Sequence, residues 1–371
     1  MNAGIDTAAR GAAGGTAPTW QEVIAHLLLG RDLSMEQGAW AMNETMQGRA
    51  TPVLLTGFLV ALRAKGVSVQ EMRALSETML THAVPFPAAP EVRALDIVGT
   101  GGDRFHTVNV STMAAIVAAG AGTTVVKHGN RAASSLAGSA DVLEAVGVRL
   151  DLAPREVSDV ALRCGITFCF AAAFHPSMRH AGPTRRELGL PTAFNFLGPL
   201  TNPAQPTYSA VGVSAEAMAP VLAGVFAERA KSAVIFRGDD GLDEVTPATT
   251  TSLWWVEDGA ITTLTADPRR VGFEFSAVEH LRGQDAAYNA DVLRSVCGGQ
   301  GGPIRDAVLL NAGLALALVN AGEGRGPSVH DESDLHQRWA DGIDAARNSI
   351  DTGRADEMLK AWVTATAEVA G

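Results

Sequence analysis

Four segments of this 371-residue chain combine residue types that bind anions or metal ions. The first is Gly99-Thr100-Gly101-Gly102-Asp103, with Asn109-Val110-Ser111-Thr112 opening the helix that follows. Glycines allow positive φ and close approach, so successive N–H groups form an anion-binding nest. The helix start adds free N–H groups at the positive end of the macrodipole. The pattern predicts a phosphate cradle. It is not a Walker loop, because Gly-Lys-Ser/Thr is absent at the required spacing, and it lacks the third glycine of a dinucleotide fingerprint.

The second segment is Lys127-His128-Gly129-Asn130-Arg131-Ala132-Ala133-Ser134-Ser135. Lys127 and Arg131 bring charge, Gly129 close approach, and Asn130 and the serines directed hydrogen bonds. Two strand ends with anion-seeking loops point to one crevice, where open parallel sheets bind ligands. The third is Asp239-Asp240-Gly241-Leu242-Asp243-Glu244, past a strand ending near Phe236. Alone it reads as a solvated acidic turn. Facing a diphosphate cradle it suits Mg²⁺, which takes oxygen ligands and keeps waters beside substrate phosphates. The fourth runs from His175-Pro176-Ser177-Met178-Arg179-His180 through Thr184-Arg185-Arg186 to Asn195-Phe196-Leu197-Gly198-Pro199-Leu200-Thr201-Asn202-Pro203. Arginine grips carboxylates bidentately, and the Gly/Pro-punctuated stretch reads as a hinge or crossing segment.

The elements that must hold these loops follow from hydrophobic period. From Trp20 to about Pro85 the spacing is helical, with Ser34, Thr51-Pro52 and Ser68 with Glu71 as start signals for three of four helices. Pro85 to Pro90 reads as a linker. Beyond it, Leu95–Val98, Thr123–Lys127, Ile166–Phe170 and Ser232–Phe236 read as strands separated by helices. Thr249–Val256 and Ile261–Leu264 form an edge hairpin, and 304–321 and 331–369 read as helical. The expected fold is a small all-helical N-terminal domain plus a larger α/β domain with a mostly parallel central sheet.

A hydrophobic share of 47% excludes disorder of the whole chain. A formal charge of -11 disfavours nucleic acid and anionic membranes as partners, so anionic ligands require cations concentrated around them. Cys164, Cys169 and Cys297 are too few for a disulfide framework or zinc site and read as reduced thiols. No run of 18 apolar residues is expected to span a membrane. The first 18 residues read as a floppy tail rather than a signal peptide, and a cytoplasmic location is expected.

Taken in order, G-T-G-G-D, N-x-S-T, K-H-G-N-R-A-x-S-S, the Asp243-Glu244 pair and N-F-L-G-P-L-T-N-P resemble the anthranilate phosphoribosyltransferase family, from about Trp20 to the C-terminus. The resemblance implies the nucleoside phosphorylase/phosphoribosyltransferase-like fold. It places 19–90 with about 177–204 in the helical domain, 91–176 and 205–371 in the α/β domain, and implies a homodimer through the helical domain. It assigns phosphoribosyl pyrophosphate to Gly99, Gly102, Asp103, Thr107, Asn109, Val110, Ser111, Thr112, the 127–135 loop and Ser139. It assigns Mg²⁺ to Ser111, Asp243 and Glu244, and anthranilate to Gly99, Asn130, His175 and Arg185. No residue is expected to act as nucleophile or acid/base. Met178 stands where many relatives have Tyr, Ala172 where some have Pro, and Arg104-Phe105-His106 makes the first loop bulkier and more basic. The rival readings are a pyrimidine nucleoside phosphorylase-type enzyme, which would need no metal carboxylate pair, and an inactive nucleic-acid-binding relative, which the net charge disfavours.

Overall fold

The computed structural model describes residues 17–87, 93–132, 136–325 and 328–369. Residues 1–16 of the expected 18-residue tail, linker residues 88–90, and Ala133, Ser134 and Ser135 lie outside them.

Four helices come first: α1 (Trp20–Leu28), α2 (Met35–Met46), α3 (Pro52–Lys65) and α4 (Val69–Thr81). Thr19, Ser34 and Ser68 close capping boxes with Glu22, Gln37 and Glu71, satisfying N–H groups that a helix start leaves unpaired. Thr51 caps α3, with Pro52 in its first turn. Their apolar faces bury Trp20, Met42, Leu55, Phe58 and Leu75 in one cluster. Ala181, Phe194, Phe196 and Leu200 join that cluster, so the crossing segment packs against the bundle.

The larger part runs β1 (Leu95–Gly99), α5 (Val110–Gly120), β2 (Val125–Gly129), α6 (Ser139–Val146), α7 (Pro154–Cys164), β3 (Ile166–Phe170) and α8 (Ala171–Phe174). It continues through α9 (Gly182–Leu188), β4 (Tyr208–Gly212), α10 (Ala219–Glu228), β5 (Ser232–Gly238), β6 (Thr251–Glu257) and β7 (Ala260–Ala266). Four helices finish it: α11 (Ala286–Cys297), α12 (Pro303–Gly322), α13 (Glu332–Asp351) and α14 (Arg354–Val369). The sheet order is β3-β2-β1-β4-β5-β6-β7. β1 to β5 are parallel, and β6 and β7 are antiparallel at one edge. The hairpin turns at Asp258-Gly259, both at positive φ, the conformation a tight hairpin demands. The chain winds outward from β1 to β3, then returns to pair β4 beside β1. That reversal opens a crevice at the carboxyl ends of β1 and β4.

Three details depart from the sequence reading. β4, a central strand, carries no strong strand pattern: Ser209, Ala210 and Gly212 are small, and neighbours on both sides make it extended. The helical stretch over 331–369 breaks at Thr352-Gly353, where Gly353 has φ +80°. α12 is long and apolar enough to cross a membrane, but 78% of that window is buried inside the fold, as in a core helix. The three cysteines are free thiols, two of them buried.

Candidate active site

A cleft of about 730 Å³ lies at the carboxyl ends of the parallel strands. Its wall includes Gly99, Gly102, Asp103, Thr107, Asn109, Ser111 and Thr112 from the first loop and helix start, and Lys127 to Ala132 and Ser139 from the second. His175, Arg185, Asp243 and Glu244 close it. Val110 does not line it: its side chain is buried in the core and its N–H donates to Val108 O at 2.7 Å. Asp239 and Asp240 point elsewhere, Asp239 accepting from Thr250 and Ser252 and Asp240 from Leu242 N and Thr246.

Glycine at the strand tips lets the acidic loop cross over them. A Cβ on Gly99 would sit 2.5 Å from Asp243 Oδ2. Gly101 N donates to that oxygen at 2.6 Å, and Ser111 N, at the start of α5, donates to Glu244 Oε1 at 3.2 Å. The positive end of α5 therefore already faces a carboxylate. Glu244 Oε2 and Asp103 Oδ2 are buried without a partner. Burial, then the charge of Asp103, pushes the Asp243 carboxyl up to about 7. Burial, then Asp243, raises Glu244 well above the usual carboxylate range. Among the described residues no group of three His, Cys, Asp or Glu side chains forms a metal cage by itself.

The cations behave differently from one another. Lys127 is buried, its ammonium held by Ile97 O and by Ser111 Oγ at 3.3 Å. Burial lowers its pKa against the attraction of Asp96, Glu244 and Asp243. It sits in the floor of the cleft rather than on an arm reaching out. Arg131 is engaged with Asp141 and Glu144. Arg185, on α9, has no carboxylate partner among the described residues; burial depresses its pKa, and its guanidinium lies 5.8 Å from the Phe194 ring centroid. Arg104, Arg179 and Arg186 also line the cleft, which gathers positive charge on a net negative chain.

Two histidines meet there with ring centroids 5.2 Å apart. His128 Nδ1 pairs with Gly198 O and His175 Nε2 with Thr201 O, both at 2.9 Å. A carbonyl only accepts, so each of these nitrogens carries the proton. His128 Nε2 and His175 Nδ1 are left as buried, unpartnered lone pairs. Burial drives His128 down to about 3 and His175 to about 4, so both rings are neutral.

Sequence reasoning overlooked the layer beneath. Asp96 accepts from Asn202 Nδ2 at 2.9 Å and His128 N at 3.2 Å, and burial, opposed by Lys127, raises it to about 6. Asn202 also donates to Val126 O at 2.8 Å, anchoring the turn whose carbonyls orient the histidines. A carboxylate inside the apolar run Leu95-Asp96-Ile97-Val98 was the available signal. Asn109 is also a tie: its side chain joins Ala137 O to Asn289.

A helical bundle and a mostly parallel sheet, with a cleft lined by arginines and carboxylates at its switch point, define a two-domain α/β protein. The helical bundle domain of the glycosyl transferase family matches residues 21–83 and the family's a/b domain matches 91–356. A Nocardioides sp. protein named anthranilate phosphoribosyltransferase is 53% identical over 349 residues, 94% of this chain and 99% of that protein. The crystal structure of anthranilate phosphoribosyltransferase from Thermus thermophilus aligns with TM-score 0.83 and 36% identity, covering 93% of this chain and 99% of that one. The Saccharomyces cerevisiae enzyme in complex with PRPP and Mg aligns with TM-score 0.83 and 28% identity, covering 94% and 98%. The chain belongs to the anthranilate phosphoribosyltransferase family.

Proposed function

We propose that the chain moves the 5-phosphoribosyl group of phosphoribosyl pyrophosphate to the amine of anthranilate with Mg²⁺ as cofactor, giving N-(5-phosphoribosyl)anthranilate and pyrophosphate in tryptophan biosynthesis. The observation that carries this reading is the gathering of Asp103, Asp243 and Glu244, with one buried unpaired oxygen each on Asp103 and Glu244, in a cleft otherwise rich in cations. Burial, and then the charge of a neighbouring carboxylate, raises Asp243 and Glu244, a deficit of positive charge that a divalent cation would fill. Ser111, Asp243 and Glu244 would hold Mg²⁺. Bound there, it would neutralise pyrophosphate charge.

The residues of the chain do the rest by position. The N–H groups of Gly102 and Asp103 and the start of α6 would receive phosphate oxygens, those of Gly101 and Ser111 being donated to Asp243 and Glu244. Thr107, Ser139 and residues 127–132 surround the sugar. Arg185, unpaired and half-buried, grips the acceptor carboxylate. Gly198 O and Thr201 O hold the histidine protons outward, so His128 Nε2 and His175 Nδ1 accept hydrogen bonds and orient the arylamine. An arylamine is neutral at pH 7 and attacks without prior deprotonation. The barrier is departure of a highly charged group from an oxocarbenium-like sugar, which fixed charges and positioning lower.

Leu28 and Leu29 at the end of α1 and Val53 on α3 are exposed and apolar, which supports homodimerisation through the helical domain. Residues 19–90 with about 177–204 would close on the α/β part around the substrates. Free thiols fit a cytoplasmic enzyme. The test is to mix the protein with anthranilate, phosphoribosyl pyrophosphate and Mg²⁺ and follow anthranilate fluorescence. Steady fluorescence from folded protein rejects the proposal.

A further inference from the structure

A second cavity of about 700 Å³ shares Gly101, Gly102 and Asp103 with the main cleft as a common wall. Arg63 reaches it from the end of α3, Thr192 and Phe196 from the crossing segment, Met218 from the turn after β4, and Arg237 from β5. Neither arginine has a carboxylate partner among the described residues. Arg63 donates to Pro191 O, and Arg237 to Ser214 O at 3.1 Å and Gly238 O at 3.4 Å. The Nη2 of Arg237 lies 3.5 Å from where a Cβ on Gly241 would be, against bare glycine. Of the two carboxylates in the wall, Asp240 already accepts from Leu242 N at 3.0 Å and Thr246 Oγ1 at 2.7 Å, and Asp103 accepts from Phe105 N at 3.2 Å through Oδ1, its Oδ2 being buried without a partner. Thr192 is 3% exposed, yet its Oγ1 has no partner. Val67, Phe105, Phe196 and Met218 supply apolar wall.

Two guanidinium groups without an anion, an unused hydroxyl and apolar walls are complementary to one ligand chemistry. We propose that this cavity binds a small carboxylate with an apolar body, at a site separate from the main cleft. The common wall couples the two sites. Its backbone has positive φ at Gly101, Gly102, Arg104 and His106, and the last two are not glycine, so the loop holds a strained conformation. A ligand that favours one loop position on the far side biases the near side, and the bias is reciprocal.

The experiment is calorimetric titration of the full chain with 3-phenylpropionate while saturating anthranilate occupies the main cleft. One-site heat is expected, with affinity weakened roughly tenfold or more by Arg63→Gln combined with Arg237→Gln. Absence of heat, or equal affinity in the folded double variant, overturns the site. Hydrogen exchange on the unmodified protein is the second measurement. 3-Phenylpropionate is expected to protect amides of 101–105 and 214–218, and no protection there also overturns it. Exchange locates the probe whether or not anthranilate is the acceptor, so its failure is distinct from failure of the transferase reading.

Discussion

The N–H of Gly101 donates a 2.6 Å hydrogen bond to the Asp243 carboxylate, joining the loop after β1 to the loop after β5. These residues are 142 positions apart in sequence. The bond forms because Gly99 and Gly212, paired across β1 and β4, leave room for the acidic loop to pass over the strand tips.

That passage makes Gly99 sensitive. In Gly99→Ala the new Cβ displaces Asp243, which costs about 1–3 kcal/mol of local packing. The expected result is a loss of kcat/KM of at least tenfold with far-ultraviolet circular dichroism unchanged. Activity equal to wild type would show that the acidic loop tolerates displacement.

Arg185 is proposed to hold only the acceptor. Removing a charged hydrogen-bond partner costs roughly 1.5–3 kcal/mol, about 10- to 100-fold in binding. Arg185→Ala is therefore expected to raise KM for anthranilate by that factor and KM for phosphoribosyl pyrophosphate much less. Equal increases in initial-rate measurements count against the role.

Asp243 and Glu244 are proposed metal ligands. Replacing both with Ala is expected to move the Mg²⁺ dependence of the rate to roughly tenfold higher concentration or abolish activity, since each ligand lost removes a charged oxygen contact. A superimposable Mg²⁺ titration would remove them from the site.

The buried histidines predict an acid-sensitive contribution to stability. Their folded pKa values, about 3 and about 4, lie below the ordinary 6.5. The unfolded chain thus takes up more protons between those limits. Their contribution to stability is complete above pH 6.5 and is lost as pH falls toward 4 and 3. Asp96, Asp243 and Glu244, held above the ordinary carboxylate range, push the other way over the same interval, so the histidines are read by difference. The urea midpoint of His128→Gln with His175→Gln is expected to gain on that of the wild type between pH 7 and pH 4.5. A constant difference between the two would remove the histidines from the acid response.

The helix starts at Ser34, Thr51 and Ser68, the edge hairpin and the glycine loop were legible in the sequence because capping, turn chemistry and period are local. Most of the cleft was legible too, since its loops announce themselves by composition and by their order along the chain. Asp96 and Asn202 were not singled out, because a buried polar tie is defined by its partner and theirs lie 106 residues apart.

The sequence by itself determined a helical bundle ahead of an α/β sheet, and which loops carry anion- and metal-seeking groups. Only the tertiary structure decided how those groups are used. It buried Lys127 in the floor, engaged Arg131 with Asp141 and Glu144, left Arg185 without a carboxylate partner among the described residues, and buried one nitrogen of each of two histidines without a partner. The reason is physical: local pattern fixes which chemical groups a segment offers, whereas charge state and direction depend on burial and on partners that arrive from distant parts of the chain.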